Sequence, residues 1–152
     1  MWQRFKDIIL AQLKQGATPK GLALSCTMGC LLGCFPLMGT TTLLCVGVGL
    51  LIRLNHPVLQ LANYAMAPFQ LLLIPVYLIL GEKVLGLEPT PIRPDVLVRL
   101  FIEDPMQFLV RYGKAGAVAV GTWCVLAPLA GIILYYLFHA FFKKMLIRMR
   151  GA

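Results

Sequence analysis

Three long stretches without a single charged side chain constrain this chain more than any other feature. They run over Gly21–Ile52 (32 residues), Leu54–Gly81 (28) and Ala115–Phe142 (28), and what charge there is falls in blocks between them. Each exceeds the roughly 20 apolar residues needed to cross a hydrocarbon core of about 30 Å. In that solvent every backbone polar group must be satisfied internally, so the segments are read as helices. Composition agrees: 59% of the residues are hydrophobic and 13% charged, against about 45–50% and about 25% in soluble domains. The 152 residues are read as one all-α integral membrane domain, 1–152.

The net charge of +8 does not point to nucleic acid, because the excess flanks the apolar segments. Residues 1–20 carry four basic side chains and one acid, Arg53 stands alone, residues 82–114 hold five of each sign, and residues 143–150 hold four basic ones. Basic ends facing anionic lipid follow this pattern; a nucleic-acid groove needs a basic face on a water-soluble surface. Both terminal blocks prefer the cytoplasm, which predicts a multi-pass bacterial inner-membrane protein with both termini inside and an even number of crossings.

Three segments cannot then each cross once. The first is the candidate to turn back. As one helix its 32 residues would measure about 48 Å, and Pro36 and Gly39 lie near its centre. A break there leaves two half-helices of about 22 Å each. The reading is a re-entrant helical hairpin over Gly21–Ile52, with the second segment crossing outward and the third returning. The alternative makes the second segment re-entrant, because it carries Pro68 at its own centre between Pro57 and Pro75. Two broken segments in succession also match transporters that build a midplane site from interrupted helices.

The N-terminus places Trp2, Phe5, Ile9 and Leu13 at helical spacing among charged residues, the pattern of an amphipathic helix in the membrane surface. Between the last two apolar segments, Pro89, Pro91 and Pro94 forbid a regular helix. Asp95 and Asp104-Pro105 then read as helix starts and Gly113 as a stop, giving two short interfacial helices. Ala117-x3-Gly121 and Ala127-x3-Gly131 are faces for close helix packing, within the chain or across a homodimer.

Five cysteines lie in apolar segments and read as reduced and buried. Cys26, Cys30 and Cys34 recur every fourth residue, but on one helix the outer two lie about 12 Å apart, too far to share a zinc with sulfurs at about 2.3 Å. With Gly29 and Gly33 they read as a packing face, and no metal or cofactor is expected. His56 and His139 have no His, Asp or Glu partner in register, and there is no catalytic triad or HExxH. No enzyme activity is expected.

The binding candidates lie at the breaks. A half-helix starting near Gly39, Thr40 and Thr41 presents unpaired N–H groups and a positive dipole end, which attract an anion. Gly39 leaves room for a phosphate to approach the backbone. The same residues read more simply as a bend, with threonines bonding back to their own carbonyls. Arg53 and Asn55 follow the segment at the interface, as a topology anchor or headgroup ligand. Asn63 and Gln70 flank Pro68, and their amides are expected to satisfy carbonyls that this proline frees.

The series Gly33-x-x-Pro36-x-x-Gly39-x-Thr41, Arg53-Leu54-Asn55-x-Pro57 and Ala67-Pro68-Phe69-Gln70, followed by Pro75-Val76-Tyr77 and Gly81, resembles the bacterial membrane family known as domain of unknown function 2062. The resemblance covers about residues 18–86. Many members have Asn-Pro followed shortly by Thr where this chain has Ala67-Pro68 and Gln70; Asn63, one helical turn earlier, is the available substitute. Related domains are joined to glycosyltransferases acting on lipid-linked sugars, so the resemblance implies lipid carriers. Gly33, Pro36, Gly39, Thr40, Thr41, Arg53, Asn55, Asn63, Pro68 and Gln70 are accordingly the candidate site. Its expected ligand is an anionic lipid headgroup or lipid-linked precursor. The alternative is a non-catalytic scaffold or accessory subunit for a partner such as a glycosyltransferase.

Overall fold

A computed structural model describes residues 18–90, 99 and 102–150. The expected surface helix at the N-terminus falls outside the described residues; of the first interfacial helix, from Asp95, only Arg99, Ile102 and Glu103 are described, and they are helical. Those described form five helices and no strand: α1 (Pro19–Gly33), α2 (Thr41–Leu51), α3 (His56–Ala65), α4 (Ala67–Leu85) and α5 (Pro105–Arg150).

Local chemistry sets most of the boundaries. Thr18 caps α1, its Oγ1 accepting the Gly21 N–H at 3.1 Å, with Pro19 in the first turn, where a missing N–H costs nothing. Pro36 cannot continue the helix, and α1 closes at Cys34, whose N–H reaches Cys30 O at 3.1 Å. The chain turns through Gly39, at φ +82°, a left-handed conformation that favours glycine. The turn ending α2 sets Arg53 at φ +53° and returns the Leu54 N–H to Gly49 O at 2.9 Å. Asn55 then caps α3, accepting the Val58 N–H at 3.1 Å.

The second apolar segment is not one continuous helix. It breaks at Met66 into α3 and α4, so the two apolar segments on either side of Arg53 are both interrupted. Pro68 falls in the first turn of α4, which makes it a helix starter rather than a kink. The reading of Gly113 as a stop is also corrected: α5 runs 46 residues through Gly113 and Pro128, about 69 Å. The expected second interfacial helix and the third apolar segment are therefore one element. A lone glycine costs a helix only about 1 kcal/mol, too little to end it. Its start is at Pro105, as the Asp104-Pro105 pair predicts, with Asp104 Oδ1 accepting the Gln107 N–H at 3.0 Å.

Close packing runs through glycines of α1. A methyl at Gly33 would sit 2.8 Å from both Asn63 O and Met66 Cβ, and one at Gly29 would collide with Leu59 O and Ala62. With Asn55 N–H on Ser25 Oγ at 2.9 Å, the contacts Ser25–Asn55, Gly29–Leu59 and Gly33–Asn63 show α1 and α3 lying parallel. Helix α5 is antiparallel to α1. Leu31 meets Gly131, and one turn later Phe35 stacks edge-on to Trp123 at 4.9 Å between centroids, with Trp123 Nε1 donating to Leu31 O at 3.2 Å. Leu32, Cys45, Leu54 and Leu59 form the core cluster.

Two helices are long and apolar enough to cross a membrane, Ala67–Leu85 and Tyr112–Arg148. The most apolar windows of these are only 28% and 17% buried, whereas the core helix of a water-soluble protein is mostly covered. All five cysteines are free; Cys30 and Cys45 are buried, but Cys124 is exposed on α5, against the expectation that all would be covered. It projects from the outer side of a helix whose inner side is taken by Trp123 and Ala127.

Candidate functional site

The two breaks meet. Gln70 Nε2, from the first turns of α4, donates to Phe35 O in the break after α1 at 2.7 Å, and Gly33 packs on Asn63 and Met66 at the other break. Gly33, Pro36, Asn63, Pro68 and Gln70 therefore belong to one junction. Pro36 and Gln70 are buried there. The amides do not do what the sequence suggested. Gln70 serves a carbonyl of the first break instead of one freed by Pro68, and Asn63 Nδ2 donates to Gln60 Oε1 at 3.3 Å. A side chain can reach across helices that touch, and Pro68 in a first turn frees little.

Gly39, Thr40 and Thr41 form a second group, at the N-terminal end of α2. Thr40 occupies the cap position without capping: its hydroxyl donates to Leu37 O at 2.8 Å. Among the described residues the first-turn N–H groups of α2 thus have no side-chain cap, and they have no acceptor within the helix either. No described residue lies within 4 Å of the place a side chain on Gly39 would take. Leu37 of the same turn reaches Gly116 of α5, near the start of that helix's uncharged stretch.

Arg53 and Asn55 are not with them. They lie at the opposite end of α2, beside Ser25 of α1, an axial separation of about 16 Å for 11 residues. Asn55 is occupied by its capping bond and its N–H on Ser25 Oγ, while Arg53 is exposed.

Several residues that matter were invisible to motif reasoning. Ser25 is fully buried, bonded to Gly21 O at 2.9 Å as well as to Asn55. Trp123 bridges α5 to α1. Glu82 is 6% exposed and fixes the exit from α4 by accepting the Thr90 N–H at 2.9 Å. A serine in an apolar run at an i−4 offset from a glycine was the available signal for the first. Among the described residues, three buried side-chain atoms have no partner: Thr27 Oγ1, His56 Nε2 and Asn63 Oδ1. Such an atom costs about 1–3 kcal/mol while unsatisfied. Among the described residues no group of three or more His, Cys, Asp or Glu side chains is placed to hold a metal ion.

No curated protein and no solved structure matches the chain. One family model does, described as "Uncharacterized protein conserved in bacteria", and it extends the resemblance from the broken helices to nearly the whole length. Matched over residues 2–150, the chain belongs to the bacterial family of domain of unknown function 2062.

Proposed function

We propose that this is a multi-pass protein of the bacterial inner membrane that holds an anionic lipid headgroup, or the phosphate of a lipid-linked precursor, at the N-terminal end of α2. The observation that carries the reading is the uncapped first turn at Thr41 beside the open left-handed Gly39. Backbone donors and a positive dipole end in that setting favour an anion. The α1–α2 pair is re-entrant in this reading, leaving and returning on the side of Lys20 and Arg53.

Charge distribution supports the orientation. Lys20 lies eleven residues before Leu31, and Phe142 eleven after its contact Gly131, so antiparallel packing brings Lys20 level with Lys143. Arg53 joins them through the Ser25–Asn55 contact. This end carries Lys20, Arg53, Lys143, Lys144 and Arg148 with no described acid, whereas around the α4–α5 connection Lys83, Arg99 and Lys114 are balanced by Glu82, Glu88, Glu103 and Asp104. The basic end faces the cytoplasm.

The test is retention of phosphatidylglycerol in nanodiscs, read by native mass spectrometry. Thr41→Val is expected to weaken retention roughly threefold to a hundredfold, the range for one lost hydrogen bond to a neutral or charged group. Gly39→Asn, which tolerates the left-handed turn but fills the space above it, is expected to weaken it further. Parental retention by both folded variants overturns the reading. A second reading, a scaffold that docks another membrane helix, is favoured by an apolar groove of about 600 Å³ between α4 and α5, lined by Gly81, Val84, Ala117, Gly121 and Val125 among others. Cross-linking through Gly121→Cys to a second copy or to another protein is its test.

A further inference from the structure

We infer that α2 is a lid over a polar seam on α3, and that the uncovered seam is the path by which a phospholipid headgroup passes between the two ends of the helical bundle. The inference rests on the headgroup reading above and adds an activity to it: passive exchange of phospholipid between leaflets.

His56, Gln60 and Asn63 are spaced i, i+4, i+7 and so lie on one face of α3. Helix α2 lies over the His56 and Gln60 part of that face, while Asn63 sits against Gly33 of α1. Gln60 Nε2 reaches Thr42 O at 3.5 Å, and a methyl at Gly49 would sit 2.6 Å from His56 Cε1. The seam begins beside Arg53 and Asn55 at the basic end. Toward the break it is continued by Gln70 on Phe35 O. It therefore runs from the cationic interface to the neighbourhood of the α2 N-terminus.

The closed arrangement leaves this seam unsatisfied. Asn63 is 2% exposed, and among the described residues neither its Oδ1 nor His56 Nε2 has a partner. Apolar residues would seal the same contact without orphaned atoms. Polar atoms that lack partners when covered acquire them when water or a headgroup enters.

Helix α2 is also built to move. Among the described residues only three have positive φ, and two of them, Gly39 (+82°) and Arg53 (+53°), bracket α2; the third, Gly86, ends α4. The outer side of α2 is apolar, with Leu43, Leu50 and Leu51 at 74%, 68% and 82% exposure, so it can shift within lipid without carrying polar groups there. The seam holds amides and one imidazole but no carboxylate, lysine or arginine. Neutral hydrogen-bonding groups stabilise a headgroup of either direction of travel, so exchange runs downhill and both ways.

The experiment uses the full chain in phosphatidylcholine–phosphatidylglycerol vesicles carrying a short-chain fluorescent phosphatidylcholine, with albumin extracting whatever reaches the outer leaflet. Wild-type protein is expected to release the inner-leaflet label at a rate well above that of empty vesicles. In a background with the five native cysteines replaced, Gly49→Cys with His56→Cys, which itself removes one seam group, is expected to exchange more slowly than wild type when reduced and to fall to the empty-vesicle rate when oxidised. Asn63→Leu, which needs no cross-link, is expected to slow exchange roughly tenfold, the equivalent of about 1.4 kcal/mol, while keeping phosphatidylglycerol bound in nanodiscs. Release no faster than from empty vesicles, by protein that still retains lipid in nanodiscs, overturns the path and leaves the headgroup reading intact. Equal exchange by oxidised and reduced forms, or by Asn63→Leu and wild type, also overturns it. Loss of retention in wild type itself removes the headgroup reading and this inference with it.

Discussion

Replacing Gly33 with alanine probes the contact on which the meeting of the two breaks depends. The added methyl would lie 2.8 Å from Asn63 O and 2.8 Å from Met66 Cβ, where ordinary contact begins at 3.4 Å. Neither atom is the free tip of a flexible side chain, so α1 and α3 must separate by about 0.6 Å, the difference between those distances. Overpacking of this kind costs about 1–3 kcal/mol. Alanine returns part of it, at most about 1 kcal/mol in a helix interior and less at the last residue of α1. The expected net loss is about 1–2 kcal/mol, with the Gln70–Phe35 bond weakened alongside. Gly113→Ala is the matched control: no described residue lies within 4 Å of its new methyl, so the same substitution inside α5 is expected to stabilise by about 0.5–1 kcal/mol. Titration of folded protein in mixed micelles with dodecyl sulfate, followed by circular dichroism, measures both. The close approach of α1 and α3 is refuted if Gly33→Ala unfolds at or above the parental midpoint while Gly113→Ala behaves as expected.

Other substitutions separate structure from ligand contact. Arg53→Gly removes a left-handed strain of about 1–2 kcal/mol, offset by about 0.5–1 kcal/mol of glycine backbone entropy. Unfolding midpoints should be unchanged or slightly higher, and phosphatidylglycerol retention should be unchanged, because Arg53 lies about 16 Å from the α2 N-terminus. Asn55→Ala loses the α3 cap and is expected to cost about 0.5–2 kcal/mol, with Asn55→Asp or Asn55→Ser recovering most of it in the same titration. Trp123→Phe keeps the ring against Phe35 but loses the bond to Leu31 O, for an expected cost of about 0.5–1.5 kcal/mol; an unchanged midpoint would remove that bond from the account. Single cysteines beside Arg53 and after Lys143, in a cysteine-free background, should resist an impermeant reagent in intact cells. Labelling beside Arg53 from outside would place the basic end on the wrong face.

The breaks show where sequence reasoning holds. Pro36 lacks the N–H that α1 would need to continue, and Gly39 takes a backbone angle other residues resist, so the interruption of the first segment is local chemistry and can be read without coordinates. Asp104-Pro105 marks the start of α5 for the same reason. Gly113 shows the limit. A glycine has the same intrinsic cost wherever it stands, and whether a helix passes through it depends on what the rest of the helix gains by continuing. Pro68 is a similar case: its position in a first turn depends on where α3 ends.

The sequence by itself determined the membrane-like composition, the all-helical character, the first break and the family, because each follows from local residue identity or from the solvent that long uncharged runs require. Only tertiary structure decided which groups face one another. Gln70 carries the same amide chemistry in either setting, yet its partner, Phe35 O, was fixed by glycine contacts between helices 30 residues apart in the chain, whereas the Asn63–Gln60 bond stays within one turn of α3. Gly39 and Arg53 flank the same helix in the sequence, and α2 holds them about 16 Å apart, at opposite ends of the seam. Hydrogen bonds and close contacts are pairwise, and the second member of each pair is named by the packing of helices, which hydrophobic pattern and turn chemistry leave open.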